Sequence, residues 1–125
     1  MALILLVEDN ADMLMMLSQV LKWGGYEVIA GRSGQEGLNL LDGSHQLPDL
    51  IISDLSMPDM NGLEFLDAVR GNSAWMNVPF VIMSAHSSSD EANEALAHGA
   101  DDFLVKPFNL DDFQKILNRW DQSNS

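Results

Sequence analysis

Leu3-Ile4-Leu5-Leu6-Val7-Glu8-Asp9 decides the fold of this chain, because five apolar residues run without alternation and then stop on two acids. A strand covered on one face alternates apolar with polar residues, whereas a strand covered on both faces is apolar throughout. The run is followed from Asn10 to Trp23 by a helical pattern, with Met13, Met16, Leu17, Val20 and Leu21 at helical spacing. The same design recurs further along. Leu50–Ser53 ends on Asp54, Val78–Met83 on Ser84, and Phe103–Val105 on Lys106.

The intervening segments read as helices and turns. Gly24-Gly25 stops the first helix, and Tyr26–Ala30 is the second strand. Ser33-Gly34-Gln35-Glu36 is a capping-box pattern opening a short helix through Leu41, and Pro48 precedes the third strand. Met57-Pro58-Asp59-Met60-Asn61-Gly62 is turn chemistry, followed by an amphipathic helix with Leu63, Leu66 and Val69. Ser88-Ser89-Asp90-Glu91 is another capping-box pattern, opening a helix that ends at the Gly99 stop, and Leu110, Phe113, Ile116, Leu117 and Trp120 line the last one. Five strands interleaved with five helices through short connections predict an α/β fold, a parallel sheet doubly wound by helices. One domain over residues 1–121 is expected, with 122–125 a tail or the start of a linker.

Composition narrows the functional classes. The chain has 125 residues, enough for one domain with a real core and short for two. No apolar stretch approaches a membrane span, and Glu8 and Asp9 follow the first run too closely for a signal peptide. There is no cysteine, hence neither a disulfide framework nor a thiolate metal site; a cytoplasmic location fits. With 19 acidic residues against 6 basic ones the net charge is −13, which repels nucleic-acid phosphates and anionic lipid.

In doubly wound sheets, ligands sit outside the carboxyl ends of the strands. There this chain places Glu8, Asp9, Asp54, Ser84 and Lys106. Carboxylates brought within several ångströms repel unless a proton or a cation relieves them, and a hard cation such as Mg²⁺ takes oxygen ligands. A metal, a lysine and a hydroxyl together suit phosphoryl transfer, which spreads negative charge over oxygens. Asp54 stands alone at its strand end and is the best nucleophile, leaving Glu8 and Asp9 for the cation. Pro107 forces an extended Lys106, and either peptide isomer is compatible with the sequence.

The residues now on the page resemble those of a response-regulator receiver domain, the phosphoacceptor module of two-component signalling. The resemblance runs from about Ala2 to Asp121. It is carried by Leu5-Leu6-Val7-Glu8-Asp9-Asn10, Asp54 through Gly62, Val81-Ile82-Met83-Ser84-Ala85, and Gly99 through Phe108. It implies a flavodoxin-like sheet in the order 2-1-3-4-5 and phosphorylation of Asp54 by a histidine kinase or histidine phosphotransfer protein. It also implies Mg²⁺, with Mn²⁺ as a substitute, held by Glu8, Asp9, Asp54 and the Ser56 carbonyl. Lys106 and Ser84 would contact the phosphoryl oxygens. Phe103 would follow the Ser84 shift and alter the face made by the fourth helix, fifth strand and fifth helix, read by a downstream partner. Such a domain catalyses only its own phosphotransfer and dephosphorylation, and is not otherwise an enzyme. Glu8 stands where aspartate is common, Ser84 where threonine is commoner, and Phe103 lacks a tyrosine hydroxyl.

Helix one carries more apolar residues than a core stripe needs. With Met16, Leu17, Val20 and Leu21 inward, Leu14 and Met15 fall off the stripe and Met13 sits near the site's mouth. Met13 and Leu14 either dock a helical phosphodonor or pad the core. His86 faces the pocket or is an ordinary loop residue. A haloacid-dehalogenase-type phosphatase needs a second aspartate where Ser56 stands, and no glycine-rich lysine motif marks a P-loop NTPase. The competing reading is a phosphorylation-independent receiver that acts as an interaction module. A stand-alone regulator and a receiver cut from a longer regulator or hybrid kinase both fit the chain.

Overall fold

The computed structural model describes residues 2–43, 46–57, 60–85 and 89–120. Its strands are β1 (Leu3–Val7), β2 (Glu27–Gly31), β3 (Leu50–Asp54), β4 (Phe80–Ser84) and β5 (Asp102–Val105). Between and after them lie α1 (Ala11–Trp23), α2 (Gly34–Gly43), α3 (Gly62–Arg70), α4 (Ser89–Ala97) and α5 (Leu110–Trp120). All pairings are parallel and the sheet order is β2-β1-β3-β4-β5, as expected. Two strands begin later than the apolar pattern indicates. The Tyr26 amide turns back to Leu21 O at 3.1 Å and the Val78 amide to Trp75 O at 3.1 Å, so both belong to turns.

Alternation within the apolar runs explains why they are apolar throughout. Ile4, Leu6, Ile52, Val81 and Met83 face Leu17 and Leu21 of α1 and Phe113, Ile116 and Leu117 of α5. Leu5, Val7, Ile51, Phe80 and Ile82 face the other way, onto Leu41 of α2, Phe65, Leu66 and Val69 of α3, and Ala95 of α4. Each strand thus feeds two cores with successive residues. At the sheet's amino end Arg70 ties α3 down. Its guanidinium donates to Gly99 O, Met76 O and Val78 O, and pairs with Asp101 at 2.9 Å.

The helix ends follow local chemistry. Asn10 Oδ1 accepts the Met13 amide at 2.9 Å and starts α1. Gly25 and Gly99, the expected stops, hold φ at 91° and 109°, which a side chain would disfavour. At the start of α2 the Glu36 amide donates to Ser33 Oγ at 3.1 Å, the first half of the expected box. A full reciprocal box is made at α3, where Asn61 and Glu64 exchange bonds of 2.9 and 3.0 Å. Ser88, the turn residues Pro58 and Asp59, His86, and the tail 122–125 lie outside the described residues.

Helix α1 departs from the expected facing. Its buried residues are Leu17 and Leu21, with Met13, Leu14 and Val20 half-buried against the same core. Met16, expected inward, is 48% exposed, and Met15 is 72% exposed. The i, i+3, i+7 series starting at Leu14 meets the sheet, and Met16 falls one residue short of Leu17 on the solvent side. Leu14, like Met13, is half-buried against this core.

Candidate functional site

Four parallel strands deliver the site. β1 ends on Val7 and hands over Glu8, β3 ends on Asp54, and β4 ends on Ser84; Lys106 follows β5 directly. The β1–β3 pairing, Val7 opposite Ser53, sets the acids of the first strand end beside Asp54. This is where the chain order reverses, since β1 leads outward to β2 and β3 begins on the opposite side. Gly62 opens α3 hard against this strand end. A Cβ there would lie 2.5 Å from Asp54 O, so only glycine fits without moving the backbone that carries Asp54.

Glu8 is fully buried, Asp54 nearly so, and Asp9 half-buried. One oxygen from each of the three lies within 4.8 Å of the others. Lys106 Nζ bridges the pair, 2.7 Å from Glu8 Oε1 and 3.2 Å from Asp54 Oδ2. Glu8 Oε2 accepts the Asn10 amide at 3.0 Å. The expected grouping of Glu8, Asp9, Asp54 and Lys106 is thus present.

The charges are unequally satisfied. Burial pushes the Glu8 carboxyl up, but the Lys106 and Asn10 hydrogen bonds outweigh it and hold Glu8 below the usual range. Burial also works against the Lys106 ammonium, yet its bond to Glu8 and the Asp54 charge leave it raised. Asp54 bears the cost. Burial first, and then the neighbouring Glu8 charge, lift it from 3.8 to about 7. Three hard oxygen donors around one under-compensated carboxylate match the requirements of a small divalent cation such as Mg²⁺.

Ser84 Oγ donates to Glu91 Oε2 of α4 at 3.0 Å. Sequence reasoning treated Glu91 only as a capping residue; its signal was an acid seven residues past the serine, in the first turn of the next helix. Phe103 sits opposite Ile82 in the sheet and packs half-buried on the core shared by α2, α3 and α4. The Lys106–Pro107 bond is cis, the isomer left open by the sequence. Ser56 is exposed on the loop after β3 and lines a groove with Met57 and Asn61.

Two grooves meet at α1. One, of about 360 Å³, is lined by Asn10, Asp12, Met13, Met16 and Lys106. The other, of about 340 Å³, continues along the helix past Met16 to Met15, Val20 and Trp23. Met13 thus lies at the mouth as expected, and Met16, Met15 and Trp23 extend the apolar surface along the helix.

A family model, the response regulator receiver domain, matches residues 4–118. Among curated proteins, the transcriptional regulatory protein KdpE of Mycobacterium tuberculosis is 36% identical over 113 residues, 90% of this chain and 48% of the relative. The chain therefore spans about half the length of that relative. The chemotaxis protein CheY4 of Vibrio cholerae superposes with a TM-score of 0.89 at 38% identity, covering 96% of this chain and 98% of the other. The receiver domain of sensor histidine kinase PA1611 from Pseudomonas aeruginosa superposes with a TM-score of 0.85 at 28% identity, covering 95% and 96%. In that protein a magnesium ion is coordinated in the active-site cleft.

Proposed function

The chain belongs to the response regulator receiver domain family, and from that premise we propose that it accepts a phosphoryl group on Asp54 from a phosphohistidine. The observation that carries this reading is the Glu8–Asp9–Asp54 cluster with Lys106 bridging Glu8 and Asp54. An Asp54 oxygen attacks phosphorus as the P–N bond breaks. The bonding pair returns to the imidazole nitrogen, and a proton on the other ring nitrogen makes the leaving group neutral. The product is an acyl phosphate on Asp54. Lys106 offers its ammonium to a phosphoryl oxygen while Glu8 holds it in place. Ser84 offers one O–H to another. Bound by Glu8, Asp9, Asp54 and the Ser56 carbonyl, Mg²⁺ (or Mn²⁺) would supply the positive charge that favours ionised Asp54 and offsets the phosphoryl oxygens.

The donor is a histidine kinase or a histidine phosphotransfer protein, and the joined grooves on α1 offer its helix an apolar seat beside Lys106. At the β5 edge of the sheet Leu96 of α4, Val105 of β5 and Leu110 of α5 are exposed, a face for a downstream partner beside Phe103. The domain acts on its own acyl phosphate and has no other turnover. A cytoplasmic setting agrees with the phosphodonor. No described helix is long and apolar enough to cross a membrane.

Incubation with acetyl phosphate and Mg²⁺, read by intact mass, tests the reading. The wild type gains one phosphoryl group and Asp54→Ala gains none. Equal labelling of both, or none of the wild type, contradicts it.

A further inference from the structure

We propose that Glu91 is a positioning residue that holds the Ser84 hydroxyl in the resting domain and must release it for the phosphoryl group to be fully bound. The inference rests on the phosphoacceptor reading above. It starts from a count of protons. A serine hydroxyl has one O–H to donate, and in this structure that proton goes to Glu91 Oε2 at 3.0 Å. A phosphoryl group presents only acceptor oxygens to the strand ends. Ser84 cannot satisfy both with one proton, so the bond to Glu91 and the bond to phosphate exclude each other.

Placement gives this competition a consequence. Ser84 is the last residue of β4, and Glu91 lies in the first turn of α4, seven positions on. The bond thus joins the strand that faces the site to the helix on the proposed output face. A hydrogen bond to a carboxylate, half-shielded from water, is among the stronger ones a neutral hydroxyl makes. Breaking it costs part of the phosphoryl binding energy and releases the first turn of α4. The groove of about 390 Å³ between the loop after β3 and α4 gives the freed Glu91 carboxylate a place in solvent. Two states, each closed by a different acceptor for the same proton, form a switch whose bias Glu91 sets.

Binding of beryllofluoride with Mg²⁺, followed by isothermal titration calorimetry, measures that bias without covalent chemistry. Glu91→Ala should bind about tenfold more tightly than wild type, the resting bond having been removed. Glu91→Gln keeps an acceptor without the charge and should stay within about threefold of wild type. In a Ser84→Ala background, adding Glu91→Ala should change nothing beyond about twofold. Equal tightening by Glu91→Ala and Glu91→Gln would show simple charge repulsion and overturn the proposal. So would tightening that persists without the Ser84 hydroxyl, or none at all. If the wild type itself fails to bind, the phosphoacceptor reading falls and the positioning role with it.

Discussion

At the residue scale, Asp54 carries a conflict of charge. Glu8 keeps its charge because Lys106 and the Asn10 amide answer it, and Asp54 is left raised from 3.8 to about 7 by burial and by Glu8. Between those values the folded protein holds a proton that the unfolded chain has released. Its contribution to stability is complete below the unfolded value and is lost as pH rises through the folded one. In chelator, urea midpoints should therefore fall between pH 5.5 and pH 8, and Asp54→Asn should flatten the decline, gaining on the order of 1–3 kcal/mol over wild type at pH 8. An unchanged pH profile in Asp54→Asn would show that this carboxyl is not the source. The role of Glu91 was not legible at this scale. Its bond to Ser84 depends on how α4 returns over β4, and the sequence carries only an acid in a first helical turn.

At the element scale, the strands were readable because burial on both faces leaves runs such as Leu3–Val7 with no polar position. Helix α1 was harder. Met13, Leu14, Met15, Met16 and Leu17 are consecutive and apolar, so the period alone does not choose among neighbouring stripes. The sheet chooses Leu17 and Leu21. Leu17→Ala should then destabilise by roughly 2–4 kcal/mol in chemical denaturation, whereas Met16→Ala should change stability by less than about 0.5 kcal/mol. Met16→Ala should instead slow phosphotransfer from a protein phosphohistidine and leave labelling by acetyl phosphate unchanged. Equal loss with both donors would place Met16 in the chemistry and not in docking. The same helix buries Ser18 Oγ with no hydrogen-bond partner among the described residues. Ser18→Ala removes that cost and adds helix propensity, and should raise stability by about 1 kcal/mol in the same assay.

At the scale of the whole molecule, strand order does what no single motif does. Placing β1 and β3 side by side, with β4 and β5 beyond, gathers residues from positions 8 to 106 at one rim. The order was legible only through the family resemblance, since apolar runs fix faces but not neighbours. A cation that binds this rim in the folded state and not in the unfolded chain raises stability by mass action, about 1.4 kcal/mol at ten times its Kd. Mg²⁺ should raise the Tm of wild type and should do so far less for Asp54→Asn; equal shifts in both would place the ion elsewhere on this acidic surface. The central claim, that Asp54 is the phosphoacceptor, is tested most directly by locating the covalent bond. Borohydride reduces an acyl phosphate to an alcohol, so treatment of the labelled domain should leave homoserine at position 54 in the peptide map and at no other acid. Homoserine at Asp9 or elsewhere, or a labelled domain with aspartate intact at 54, would contradict the account.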